Sequence, residues 1–141
     1  MKPFDQQLYD ENDLAKHIVI DWLETFGIKA KVNPDDYGID LLADKDGKLY
    51  EIEVEVKHNW KDREFPFETL HYSARKLKFL HTHAEVKFVT LNHTWKYAAV
   101  VDGRDLLTCR RIKKKTSLTA EEEFIEVPRH LIKWGVIDAN L

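Results

Sequence analysis

Apolar and polar positions along the chain follow two different periods, and each change of period marks an expected element. From Asp10 to Phe26, the residues Leu14, Ala15, Ile18, Trp22 and Phe26 recur at three- and four-residue spacing, which makes one apolar face of a helix. Asp10, Asn12 and Asp13 are alternative caps for its start, and Gly27 stands where a left-handed residue ends a helix. The period then shortens. Ile28 to Val32 alternates as a strand, and Asn33-Pro34-Asp35-Asp36 breaks it.

The next two runs are the most informative. Tyr37 to Ala43 reads as a strand, Asp44-Lys45-Asp46-Gly47 as a turn, and Lys48 to His58 as the returning strand of a hairpin. Within the return, Tyr50, Ile52, Val54 and Val56 share one face, while Glu51, Glu53, Glu55 and Lys57 share the other. Asn59 to Tyr72 reads as a loop with aromatic anchors, and Ser73 as the cap of a second helix over Ala74 to Thr82. Strands are expected over Val86 to Leu91 and Lys96 to Val101. Asp102-Gly103 then turns the chain into a further strand-like run, Leu106 to Ile112. Lys113 to Ser117 reads as a basic loop, Glu123 to Val127 as a strand, and Pro128 as the opening of a short helix through Trp134. Without repeats or linkers, residues 1–141 are expected to form one domain.

Composition narrows the classes of function. With 43% apolar and 33% charged residues, the sequence suits a water-soluble globular protein. It carries neither a bilayer-length apolar run nor a signal-peptide pattern at its start, so an intracellular, cytoplasmic protein without a membrane partner is expected. Cys109 is the single cysteine, which excludes an internal disulfide and a cysteine-built zinc site and leaves it as an ordinary strand residue. A net charge of −3 argues against gripping nucleic acid by bulk charge. It still allows a phosphate-binding face beside a carboxylate cluster.

The hairpin can supply that cluster. Glu55 and Lys57 project from the same strand face, roughly 7 Å apart along it. With the turn centred on Asp46-Gly47, Asp40 falls opposite Glu53 and diagonal to Glu55. Asp40 and Glu55 could share one hard divalent ion, with the carbonyl of Val56 as a third ligand and Glu53 as a further candidate. Hydrolysis of a phosphodiester needs such an ion to acidify water, and a nearby cation to stabilise the growing charge.

At these residues the sequence resembles the PD-(D/E)xK superfamily, which includes type II restriction endonucleases, archaeal-type Holliday-junction resolvases and phage exonucleases. The resemblance runs from Asp10 to Leu91: helix, strand, Gly38-Ile39-Asp40 strand, Glu55-Val56-Lys57 strand, helix, strand. It implies an α/β/α sandwich about a central mixed sheet, restriction endonuclease-like, with Asp40 and Glu55 as acidic metal ligands and Lys57 as the catalytic lysine. Many members add an acid from the first helix, for which Glu11, Asp13 and Glu24 are alternatives; His17 is another candidate there. The function implied is a Mg²⁺-dependent DNA endonuclease, with Mn²⁺ able to substitute. Its cleavage would be structure-selective or directed to short sites on duplex or branched DNA, by two chains where both strands are cut. An exonuclease or RNA-directed nuclease on the same fold, and a non-catalytic nucleic-acid or protein-binding module, are the alternatives.

Basic residues suggest where a backbone would lie. Arg75 and Lys76 open the second helix, whose terminal N–H groups also favour phosphate. Arg110, Arg111 and Lys113 to Lys115 form the densest positive run, either a DNA track or a solvated loop. Trp60, close behind Lys57, is the aromatic residue best placed to stack on a base. His81, His83 and His93 either gather in space or scatter over the surface.

Overall fold

The computed structural model describes the backbone of residues 3–115 and 121–137, and side chains from residue 11 within those ranges. The elements are α1 (Pro3–Glu24), β1 (Lys29–Val32), β2 (Leu41–Lys45), β3 (Lys48–Lys57), β4 (Thr69–Ser73), a 3₁₀ helix (Ala74–Leu80), β5 (Glu85–Asn92), β6 (Tyr97–Asp102), α2 (Gly103–Leu106), β7 (Arg110–Lys114), β8 (Glu122–Pro128), a single 3₁₀ turn (Arg129–Leu131) that follows Pro128 as expected, and β9 (Lys133–Val136). Six strands form the central sheet in the order β1-β2-β3-β5-β6-β9. β3 and β5 run parallel and every other neighbouring pair antiparallel, so the sheet is mixed and the fold α/β, as expected. A parallel pair needs a crossover. Here β4 and the 3₁₀ helix supply it.

One face of the sheet is covered by α1. Ala15, Val19, Trp22 and Leu23 are buried against Leu41, Ala43, Ile52, Val89, Leu91 and Ala98. The helix begins at Pro3 rather than at Asp10, so Asp10, Asn12 and Asp13 are interior positions and not caps. A proline in the first turn costs no hydrogen bond there, and nothing between Pro3 and Asp10 breaks a helix. The buried stripe is also rotated from the expected one, because Leu14 and Phe26 are exposed while Val19 is fully buried. Gly27 ends the helix at φ 78°. Its N–H donates to Glu24 O at 2.9 Å and that of Ile28 to Leu23 O at 3.1 Å, the paired bonds of a Schellman cap. Across the interface Gly135 of β9 makes room for the helix, since a Cβ there would lie 2.5 Å from Trp22 Cζ2.

The other face is covered by β4, β8 and β7, which form a three-stranded sheet, together with the 3₁₀ helix and α2. Phe88, Val101 and Ala99 of the central sheet pack here against Leu70, Tyr72, Ile125, Val127 and Leu106. Several elements differ from expectation for one reason: short segments take their structure from what they pair with. The supposed loop over Asn59 to Tyr72 contains β4, whose Leu70 and Tyr72 point into the core. Asp102 does not turn directly into a strand. Its carboxylate accepts from Arg104 N–H and caps α2, which leaves Cys109 just ahead of β7 with its Sγ 3.1 Å from Asp105 O. Lys113 and Lys114 belong to β7, not to a loop, while Thr116 and Ser117 lie outside the described residues. Trp134 sits on β9, paired with Ala99, rather than on a helix. Among the described residues, no helix is long and apolar enough to cross a membrane.

Candidate active site

The hairpin register puts Leu41 opposite Ile52 and Lys45 opposite Lys48, which is the pairing expected of a turn at Asp46-Gly47. Asp40 is therefore the first residue beyond the paired end of β2, level with Glu53. The turn before it fixes that position. Asn33 N–H donates to Asp40 O, the Asn33 amide donates to Ile39 O, and the Asp35 carboxylate accepts from Tyr37 N–H. Asp35 is thereby used up in holding the turn, and Asp40 is the acid delivered to the sheet.

There β2 leaves β3, and side chains replace the backbone ladder. Asp40 Oδ2 accepts from Val54 N–H at 2.8 Å, and Asp40 N–H donates to Glu53 Oε1 at 3.2 Å. A strand residue turns its N–H and C=O to the same side, and alternate residues share that side. Val56 thus presents its carbonyl at the same open edge, past the last residue that β2 pairs. A cleft of about 410 Å³ lies over this edge. Asp13 and Lys16 of α1 line it on one side and Lys76 of the 3₁₀ helix on the other, with Asp40, Glu53, Glu55 and Val56 among the remaining lining residues.

The carboxylates are crowded and partly dry. Burial, then the charge of Asp40, pushes the Glu53 carboxyl up to about 7, although the Lys76 ammonium pulls it down. Burial also raises Glu55 against the pull of Lys76. Burial works to lower Lys76, but its hydrogen bond to Glu53 and the charges of Glu53, Glu55 and Asp40 outweigh that and raise it. Lys76 Nζ bonds Glu53 Oε2 and lies 3.6 Å from Glu55 Oε1; Lys16 Nζ lies 3.5 Å from Asp40 Oδ1. The donor set is made of hard oxygens, the kind that suits Mg²⁺ or Mn²⁺. As it stands it is held by ammonium groups, and among the described residues no three His, Cys, Asp or Glu side chains converge on one ion position.

The expected site residues divide into those the cleft gathers and those it does not. Asp40, Glu53, Glu55 and Val56 meet there, and of the first-helix candidates Asp13 lines it. Glu11, His17 and Glu24 lie outside its lining. Lys57 shares the strand face of Glu55, but its ammonium sits 4.9 Å from the centre of the Phe67 ring. Burial lowers its pKa, the nearby Lys114 lowers it further, and Glu55 only partly offsets them. Arg75 pairs with Glu122 at 3.2 Å. Arg110, Arg111 and Lys113 lie exposed along β7, an edge strand, with Arg111 3.4 Å from Glu123.

One expectation fails, and one open alternative is decided. Trp60 is 1% exposed and packs edge-on against Phe65 and Trp134, so it is a core residue and not a stacking platform. The histidines do not gather as grouped: His81 and His83 precede β5 while His93 follows it, with its Nδ1 3.0 Å from that of His58. Sequence reasoning missed Lys16, one helical turn after Asp13, and the contact of Lys76 with the carboxylates. The spacing of Lys16 from Asp13 was the only available signal for either.

No protein-family model matches the sequence, and no curated protein matches it. Among solved structures, the chain is similar to a Holliday junction resolvase from the archaeal hyperthermophile Archaeoglobus fulgidus. The identity is 15%, the match covers 86% of this chain and 82% of that one, and the TM-score is 0.49.

Proposed function

We propose that the protein is a divalent-metal-dependent deoxyribonuclease whose site is the cleft over the open end of β3. The observation that carries the reading is the meeting of Asp40 and Glu55 where β2 lets go of β3, beside the unpaired edge at Val56. A strand with charges on one face is common; a strand edge laid open beneath two converging carboxylates is not explained by packing. Asp40, Glu55 and the Val56 carbonyl would hold Mg²⁺ or Mn²⁺, with Glu53 as a further oxygen donor. The ion would supply an acidified water and polarise the scissile phosphate.

This chain's own residues would do the rest. Val54 N–H fixes the Asp40 carboxylate in orientation. Lys57, with its pKa lowered, stands beside Glu55 as the cation for charge growing on the phosphate. Lys114 is near enough to act on Lys57, and Arg110, Arg111 and Lys113 continue the positive strip along β7, where a DNA backbone would lie. Cleavage would be endonucleolytic and directed by DNA structure or a short site.

A second reading, a binding module without catalysis, is favoured by one observation: Asp40, Glu53 and Glu55 each already have an ammonium partner. Cleavage of supercoiled plasmid and branched DNA with Mg²⁺ or Mn²⁺ separates the two. The nuclease reading expects cutting that a chelator stops and that falls about a thousandfold in Asp40→Ala and about a hundredfold or more in Lys57→Ala. No cutting of DNA or RNA by the wild-type chain, and DNA binding unchanged in Asp40→Ala, would favour the module.

A further inference from the structure

The charge count in the cleft is informative. Four acids line it, Asp13, Asp40, Glu53 and Glu55, and the last three are in contact with two ammonium groups, Lys16 and Lys76. A divalent ion entering beside both ammonium groups would gain little from the carboxylates and would meet two like charges at short range. The two lysines are not equivalent. Lys16 makes a single contact at 3.5 Å with Asp40, whereas Lys76 bonds Glu53 and reaches toward Glu55, so its ammonium stands between the two glutamates of β3. It reaches there from a seven-residue 3₁₀ helix on the opposite wall of the cleft, and its side chain is 28% exposed, so it has a path outward.

We infer that Lys76 is the resident counter-ion of the cleft, occupying the position of the metal and leaving it when the metal binds. The inference rests on reading the cleft as a metal site. In the metal-free state the ammonium stands between the two buried glutamates and offsets the repulsion between them. Metal entry exchanges one cation for another, and the freed ammonium points into the cleft from the wall where phosphate would arrive. Metal affinity is thereby weakened by the cost of displacing Lys76, and removing its charge strengthens affinity even though it removes a basic residue.

The test is calorimetric titration of the full chain with MnCl₂ at pH 8. Wild type, Lys76→Met, Lys76→Arg and Asp40→Ala are compared, with melting curves in chelator to establish that each is folded. Lys76→Met is expected to bind Mn²⁺ about tenfold or more tightly than wild type. Lys76→Arg should bind no more tightly than wild type, and Asp40→Ala should bind much more weakly. If Lys76→Met does not fold, Lys76→Gln carries the same expectation, since it keeps a donor for Glu53 without the charge. Equal or weaker affinity in the uncharged variant, with binding still lost in Asp40→Ala, would overturn the role of Lys76 and leave the metal site standing. No binding by wild type or by the uncharged variant would overturn the metal site itself.

Discussion

β3 carries one alternating pattern from end to end, yet its two halves do different things. Over Tyr50 to Ile52 the strand is paired on both sides, by β2 and by β5, and its outward acid, Glu51, accepts an ordinary hydrogen bond from Thr82 at 2.6 Å. Over Glu53 to Lys57, β5 alone remains as a ladder partner among the described residues. Here the same polar face lies under the 3₁₀ helix, at an edge that α1 residues also border, its acids are drawn together with Asp40, and the pKa values of Glu53 and Glu55 rise. Glu51 and Glu55 are the same residue type on the same face of the same strand. What separates them is the point at which β2 ends, and that point is set by the hydrogen-bonded turn from Asn33 to Asp40.

The contrast can be pressed from the paired half first, where the expected effect on stability is largest. Ile52 is 3% exposed between α1 and the sheet, so Ile52→Ala should cost about 3 kcal/mol in urea unfolding. A cost below about 1 kcal/mol would mean that this half is not the anchor of the hairpin. The open half should respond to pH instead. Glu53 holds its proton more tightly folded than unfolded, rising from 4.5 to about 7 through burial and Asp40. Such a group stabilises the fold below its unfolded pKa, and that contribution is lost as pH rises through the folded value. Between pH 4.5 and 7.5, in chelator, the wild type should lose roughly 3 kcal/mol relative to Glu53→Gln, which lacks the titration. Parallel stability curves for the two would show that Glu53 titrates as an exposed acid. The smallest effect belongs to Glu51→Gln, expected within about 0.5 kcal/mol of wild type by the same unfolding measurement.

The same contrast explains how much could be read in advance. The β2–β3 hairpin, its register and the division of β3 into two faces followed from Asp46-Gly47 and strict alternation, because a tight turn leaves one register that buries Ile52 and Val54. Gly27 announced the end of α1 for an equally local reason, its left-handed φ. β4 stayed hidden because Thr69 to Ser73 is a strand only by pairing with β8, some fifty residues away in sequence. β9 was obscured by Pro128 and by a tryptophan that suits helix and strand equally. In the site, the acids were legible because they share one hairpin. Lys16 and Lys76 were not, because they arrive from two walls that only the folded chain brings together.

The most direct test of a site made by the open end of β3 is a nicking assay on supercoiled plasmid with Mg²⁺, run side by side on Glu51→Gln and Glu55→Gln. Glu51→Gln should cut within about twofold of wild type, while Glu55→Gln should lose about a hundredfold or more. Equal loss in the two variants, or full activity in Glu55→Gln, would contradict it.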